Sequence, residues 1–158
     1  MQDKGNTNEA KFPLGEENMR PDMEAFFLRC EEQLRANSNP HTNGQCQIWC
    51  GCTNRRYGQF RYRDPRKPPD SRHKTRGAHR MALLVAYRTL DVSPTLQASH
   101  LCNRPLCINP AHLVFERRTI NDQRQVCFKA KTCTGHVDRG TRQPNCRVDI
   151  SAAPMRHH

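Results

Sequence analysis

Residues 99–122 read SHLCNRPLCINPAHLVFERRTIND. Cys102, Cys107 and His112 follow one another with four residues between each pair, a spacing suited to gripping one metal ion. Tetrahedral zinc takes four protein ligands when its role is structural, so one ligand has to come from elsewhere. Cys46, Cys50 and Cys52 lie upstream, and each offers a thiolate. His100 stands only two residues before Cys102 and cannot turn to the same ion as its neighbours. It is the histidine left over, and it needs another role.

A second group follows. Cys127, Cys133, His136 and Cys146 make a complete set of four in a segment with little apolar content. Such a segment cannot build a core of its own, but it can fold around a metal. Two closed sites of three cysteines and one histidine are therefore expected, each holding a structural zinc.

The composition agrees. Hydrophobic residues make up 35% and aromatic residues 6% of 158, which is thin for burial alone to hold the chain. Nine cysteines cannot all pair as disulfides, and residues 1–18 lack the apolar run of a secretory leader. Zinc ligation is the better reading of the cysteines, and an intracellular, nuclear location is expected. No apolar run approaches the roughly 20 residues of a membrane span, so no membrane partner is expected. Lys and Arg total 26 against 15 Asp and Glu, a net charge of +11 that points to a polyanion.

Along the chain, residues 1–20 and 150–158 read as flexible polar tails. Met23, Phe26, Phe27, Cys30 and Leu34 recur at helical spacing and predict a helix over 21–38, with Asp22 as its cap and Cys30 as a core residue. A zinc-binding domain is expected over 44–149. Residues 57–63 alternate, with Tyr57, Gln59, Arg61 and Arg63 on one face of a strand and Phe60 and Tyr62 on the other. That cationic face suits DNA, since arginine pairs with guanine and glutamine with adenine in the major groove. Arg66, Lys67, Arg72 and Lys74 lie in what reads as an adjoining loop and are expected to contact phosphates. A buried helix is expected from Ala78 to about Leu90. Short strands follow around 99–101 and 112–116, and then a helix from Thr119 or Asn121 to about Val126.

The histidine, two cysteines, Asn-Pro and second histidine of residues 99–113, the "IND" after them and the second cysteine-histidine group together resemble the His-Cys box homing endonucleases. These belong to the ββα-metal, or His-Me finger, nucleases. "CQIWCG", "YGQFRYR" and "AHRMA" are similar to the N-terminal half of zinc-containing HNH endonucleases of this group. The resemblance covers residues 44–146 and implies an α+β fold: a small zinc-braced ββα-metal unit with an antiparallel DNA-binding sheet and few helices. It implies a metal-dependent DNA endonuclease, with His100 as general base and Asn121 holding one catalytic Mg²⁺ or Mn²⁺. Arg76 and Arg80 become candidates for the scissile phosphate, and Cys46 matches the family's C-x-x-W ligand. Relatives often act as homodimers. The resemblance also admits a second function, a non-catalytic zinc-stabilised DNA-binding module of the same fold, as in the Smad DNA-binding domain. His100 and Asn121 together distinguish the two, because a binding module needs neither.

Overall fold

The computed structural model describes residues 20–148, so the expected tails lie almost wholly outside the described residues. Helix α1 (Pro21–Ala36) opens the described chain with proline in its first turn, where a missing N–H costs nothing. Asp22 is not its cap. It sits in the first turn, where its charge suits the positive helix end, and pairs with Arg20 at 2.7 Å. Phe26, Phe27, Cys30 and Leu34 form the buried stripe, with Cys30 in the core as its spacing predicts.

Two short strands, β1 (Ser38–Pro40) and β2 (Gln47–Trp49), form an antiparallel hairpin. Next comes a three-stranded antiparallel sheet of β3 (Thr53–Asn54), β4 (Tyr57–Arg63) and β5 (His73–Gly77), with β4 in the centre. The alternation of β4 is as the sequence predicts, with Gly58, Phe60 and Tyr62 buried and Arg61 and Arg63 exposed. Strand β5 takes in Lys74, which the sequence places in a loop. Its register pairs Arg61 with Thr75 and Tyr62 with Lys74. Residues directly opposite share a face, so Lys74 lies on the side of Tyr62, away from Arg61 and Arg63.

Helix α2 (Ala78–Ala86) buries Met81, Leu83, Leu84 and Val85 against β4 and α1. It stops four residues earlier than its apolar run suggests. Arg88 takes a left-handed φ of 52° and donates to Glu31 of α1, which ends the helix and ties it to its neighbour. The ββα unit follows: β6 (Leu96–His100) and β7 (Leu113–Arg117) pair antiparallel, and α3 (Arg118–Ala130) packs on both. Strand β6 begins three residues before the expected strand. Helix α3 begins before Thr119 and runs past Val126 to Ala130, so Asn121 lies within the helix and not at its N-cap. A last hairpin, β8 (His136–Asp138) and β9 (Thr141–Gln143), closes the described chain.

One core joins α1, α2, β4 and the ββα unit, and α1 is part of it rather than a separate appendage. The bidentate ion pair of Arg124 with Glu116, at 2.7 and 2.8 Å, is buried between α3 and β7. Among the described residues no helix is long and apolar enough to cross a membrane.

Trp49 explains two glycines. A Cβ at Gly58 would meet its ring at 2.3 Å, and one at Gly51 at 2.4 Å. The indole Nε1 donates to the Cys52 carbonyl at 2.9 Å, so the ring is fixed from its polar end as well. Gly58→Ala is therefore expected to destabilise the fold by about 1–3 kcal/mol through overpacking. Urea unfolding followed by fluorescence of the single tryptophan measures this directly.

Candidate metal centres and active-site pocket

Two groups of four side chains come together: Cys46, Cys102, Cys107 and His112 in one, with Cys46 the ligand that the resemblance implies, and Cys127, Cys133, His136 and Cys146 in the other. In each, all four ligand atoms lie within 4.8 Å of one another. In the first, Cys46 Sγ lies 3.4 Å and Cys107 Sγ 3.6 Å from His112 Nδ1. In the second, the three sulfurs lie 3.3–3.6 Å from His136 Nε2. A tetrahedral zinc with Zn–S near 2.3 Å and Zn–N near 2.05 Å separates sulfur from nitrogen by about 3.5 Å. The donor sets thus have the edge lengths of a zinc tetrahedron, and each can hold one structural zinc.

Local backbone structure builds the first tetrad. Between β6 and β7 the chain leaves the hairpin for the loop that carries Cys102 and Cys107. Asn109 accepts at its side-chain oxygen from Ala111 N at 3.0 Å and starts a 3-10 turn, Pro110–His112, which delivers His112. Strand β2 runs beside this loop: Ile108 N donates to Gln47 O at 2.7 Å, and Trp49 N to Leu106 O at 2.8 Å. Cys46, immediately before β2, is thereby carried to the other three ligands. Cys50 and Cys52 are exposed and stay outside the tetrad. Cys107 is drawn down by its hydrogen bond with Cys102. Cys102 is pushed up by the same contact and by burial, and Cys46 by burial. A dication relieves such crowding of thiols by taking them as thiolates.

The second tetrad joins α3, through Cys127, to the β8–β9 hairpin and the segment after it. Gln123 Oε1 lies 3.3 Å from His136 Nδ1, so Nδ1–H donates to it and Nε2 is left to face the sulfurs. Arg124 donates to Pro144 O at 2.8 Å and approaches Cys146 Sγ at 3.5 Å. Burial pushes Cys146 up to about 12, and the Arg124 guanidinium works against that shift.

His100 lies outside both tetrads. It ends β6 and lines a cleft of about 590 Å³ together with Asn121, Arg76, Arg80, Tyr57 and His79. Its Nε2 is 2.9 Å from the Cys107 carbonyl oxygen. A carbonyl can only accept, so Nε2 carries the hydrogen and Nδ1 holds the free lone pair. Thus the metal loop fixes both the place and the tautomer of the imidazole. The Tyr57 ring stacks on His100 at 6.3 Å between centroids, and His79 lies at 4.8 Å. Burial, with His79 beside it, holds His100 down to about 3; burial, with Arg80 beside it, holds His79 to about 4. Both rings are neutral at pH 7.

Asn121 projects from α3 into the same cleft. Its Nδ2 donates to Gln97 Oε1 on β6 at 2.8 Å, so the amide nitrogen is engaged and the carbonyl oxygen is free to accept. Gln97 gave no signal in the sequence, being one polar residue in a short strand. The two arginines differ. Arg76 gives its Nε to the Tyr62 hydroxyl at 2.7 Å. Arg80 spends its amino groups on the carbonyls of Leu96 and Ser93, at 2.5 and 3.2 Å, and stacks over Phe115. That role is to brace α2 against β6. Arg66 also departs from expectation. Asp64 at 2.9 Å and Asp91 at 2.6 Å occupy its guanidinium, so it is not a free phosphate contact.

A family model described as the zinc-binding loop region of homing endonuclease matches residues 47–158. The chain belongs to this family. Comparison with curated proteins and with solved structures returned no match. In this homing-endonuclease zinc-loop protein the match takes in the zinc loop, the ββα unit and the second tetrad. Cys46 and α1 precede it.

Proposed function

We propose that this protein is a metal-dependent DNA endonuclease. One observation carries the reading: His100 and Asn121 open into one cleft beside a tetrad that sets the histidine's tautomer. Nδ1 of His100 is then the base that takes a proton from water attacking a phosphodiester. An anionic phosphate seated beside the ring raises its affinity for that proton, offsetting the downward pull of burial. Arg76 offers its remaining guanidinium nitrogens to a phosphate oxygen, a geometry that arginine's planar fork suits.

The lining fits a hard cation with few protein ligands. It offers the Asn121 amide oxygen and no carboxylate, leaving other positions to water and phosphate oxygens, as Mg²⁺ prefers. Mg²⁺ bound there would supply a Lewis acid for the scissile phosphate and the leaving oxygen. The Gln59–Arg61–Arg63 face of β4, with both arginines exposed, runs on from Tyr57 at the cleft and would carry the duplex, with Lys67 and Arg72 beside it. We further propose a nuclear location and action on both strands as a homodimer.

Purified protein incubated with supercoiled plasmid and Mg²⁺ is expected to yield nicked and linear forms. Asn121→Ala should cut only at raised Mg²⁺, because it removes a ligand and leaves the base in place. Wild-type protein that binds duplex DNA but cuts none with any divalent metal would be the non-catalytic module instead.

A further inference from the structure

A second cleft, of about 530 Å³, lies between α1 and the outer part of the β4–β5 hairpin. Arg29 and Gln33 of α1 form one wall; Arg61, Arg63, Arg72 and His73 form the other. No Asp or Glu lines it. Four arginines around one concavity repel one another unless an anion sits among them. The Nε of Arg72 is buried without a hydrogen-bond partner, although a buried guanidinium N–H normally has one. Arg66, a few residues away, shows the contrast: its charge is met by Asp64 and Asp91.

We infer that this cleft binds the phosphate backbone of the duplex that occupies the active-site cleft, and that α1 is thereby part of the DNA-binding surface. The inference rests on the nuclease reading only for its duplex. It adds Arg29, on a helix that lies before the family match at residue 47, to the residues that touch DNA. Position along the strand supports continuity. Arg61 and Arg63 are four and six residues beyond Tyr57, which lines the active-site cleft. At about 3.3 Å per residue that is roughly 13–20 Å. A duplex laid along β4 advances about 3.4 Å per base pair, so the second cleft meets phosphates about four to six base pairs from the first.

The test is the salt dependence of binding to a 30-base-pair duplex without divalent metal. Arg29→Ala and Arg72→Ala are each expected to lower the slope of log K against log salt by about one, and the double variant by about two. Arg35→Ala removes the same charge from another face of α1 and serves as the control. Arg29 and Arg35 are both exposed, so neither change should alter the fold, and zinc content and melting temperature confirm that for each variant. Slopes unchanged in Arg29→Ala and Arg72→Ala, or lowered equally by Arg35→Ala, overturn the proposal. If the wild type cuts plasmid while those slopes stay unchanged, the second cleft fails and the nuclease reading stands. If the wild type binds no duplex at all, both fall.

Discussion

His100→Ala is expected to abolish DNA cleavage while zinc content and duplex affinity stay near wild type. General-base assistance is worth roughly 10²–10⁴ in rate, and no other side chain in the cleft is placed to replace it. His79 is the nearest candidate, but its Nδ1 is buried away from solvent and so from an attacking water. His100 is not structurally idle: its Nε2–H bonds the Cys107 carbonyl at 2.9 Å and its ring stacks with Tyr57. Loss of one such bond costs about 1 kcal/mol, which a zinc-braced loop should survive. His100→Gln separates the two roles further. Its side-chain amide can still donate to that carbonyl, yet it has no basic nitrogen. Both variants should bind duplex and fail to cut. A His100→Gln protein that cuts at the wild-type rate would remove His100 from the chemistry.

The tetrads were legible because metal ligation leaves a spacing pattern that needs no tertiary information. The fourth ligand of the first tetrad came from the family resemblance, through its C-x-x-W match at Cys46, and not from spacing. Cys46, Cys50 and Cys52 lie within seven residues, and spacing alone treats them alike. What selects Cys46 is the pairing of β2 with the Cys107 loop, a long-range contact. The apolar helices were legible in the same way, while α3 was underestimated for a physical reason. Its buried positions are Ile120, Arg124 and Phe128, and the central one is an arginine neutralised by Glu116. A hydrophobicity pattern reads that position as solvent. Strand β5 is mostly exposed along its length, so it shows no alternation, and the β1–β2 and β8–β9 hairpins have strands too short to carry a period. The partners that orient the site, Gln97 for Asn121 and the Cys107 carbonyl for His100, leave no mark on the sequence, because both act across the β6–β7 unit.

Removing the first zinc site is expected to unfold the protein. The chain should carry about two zinc, one per tetrad, and Cys107→Ser should lose the first. Cys102 and Cys107 are fully buried, and their cluster stands apart from the main hydrophobic core. Ile48 packs against it, and little other apolar contact holds β2 to the loop. Binding of a structural zinc is worth about 10–16 kcal/mol, against a total stability of about 5–15 kcal/mol for an ordinary domain. Losing the zinc contribution therefore removes about as much as the whole net stability of such a domain. A serine in place of Cys107 also buries a hydroxyl among sulfurs that would have to keep their protons. The expected readings are loss of the cooperative thermal transition in Cys107→Ser and reversible unfolding of the wild type by a zinc chelator. The second tetrad differs. Cys127 and Cys133 are only partly buried and the tetrad staples a terminal hairpin, so Cys133→Ser should release that hairpin while the β6–β7 unit and His100 remain in place. A Cys107→Ser protein that melts cooperatively near the wild-type temperature, or wild-type cysteines found joined as disulfides, would overturn the zinc-braced architecture.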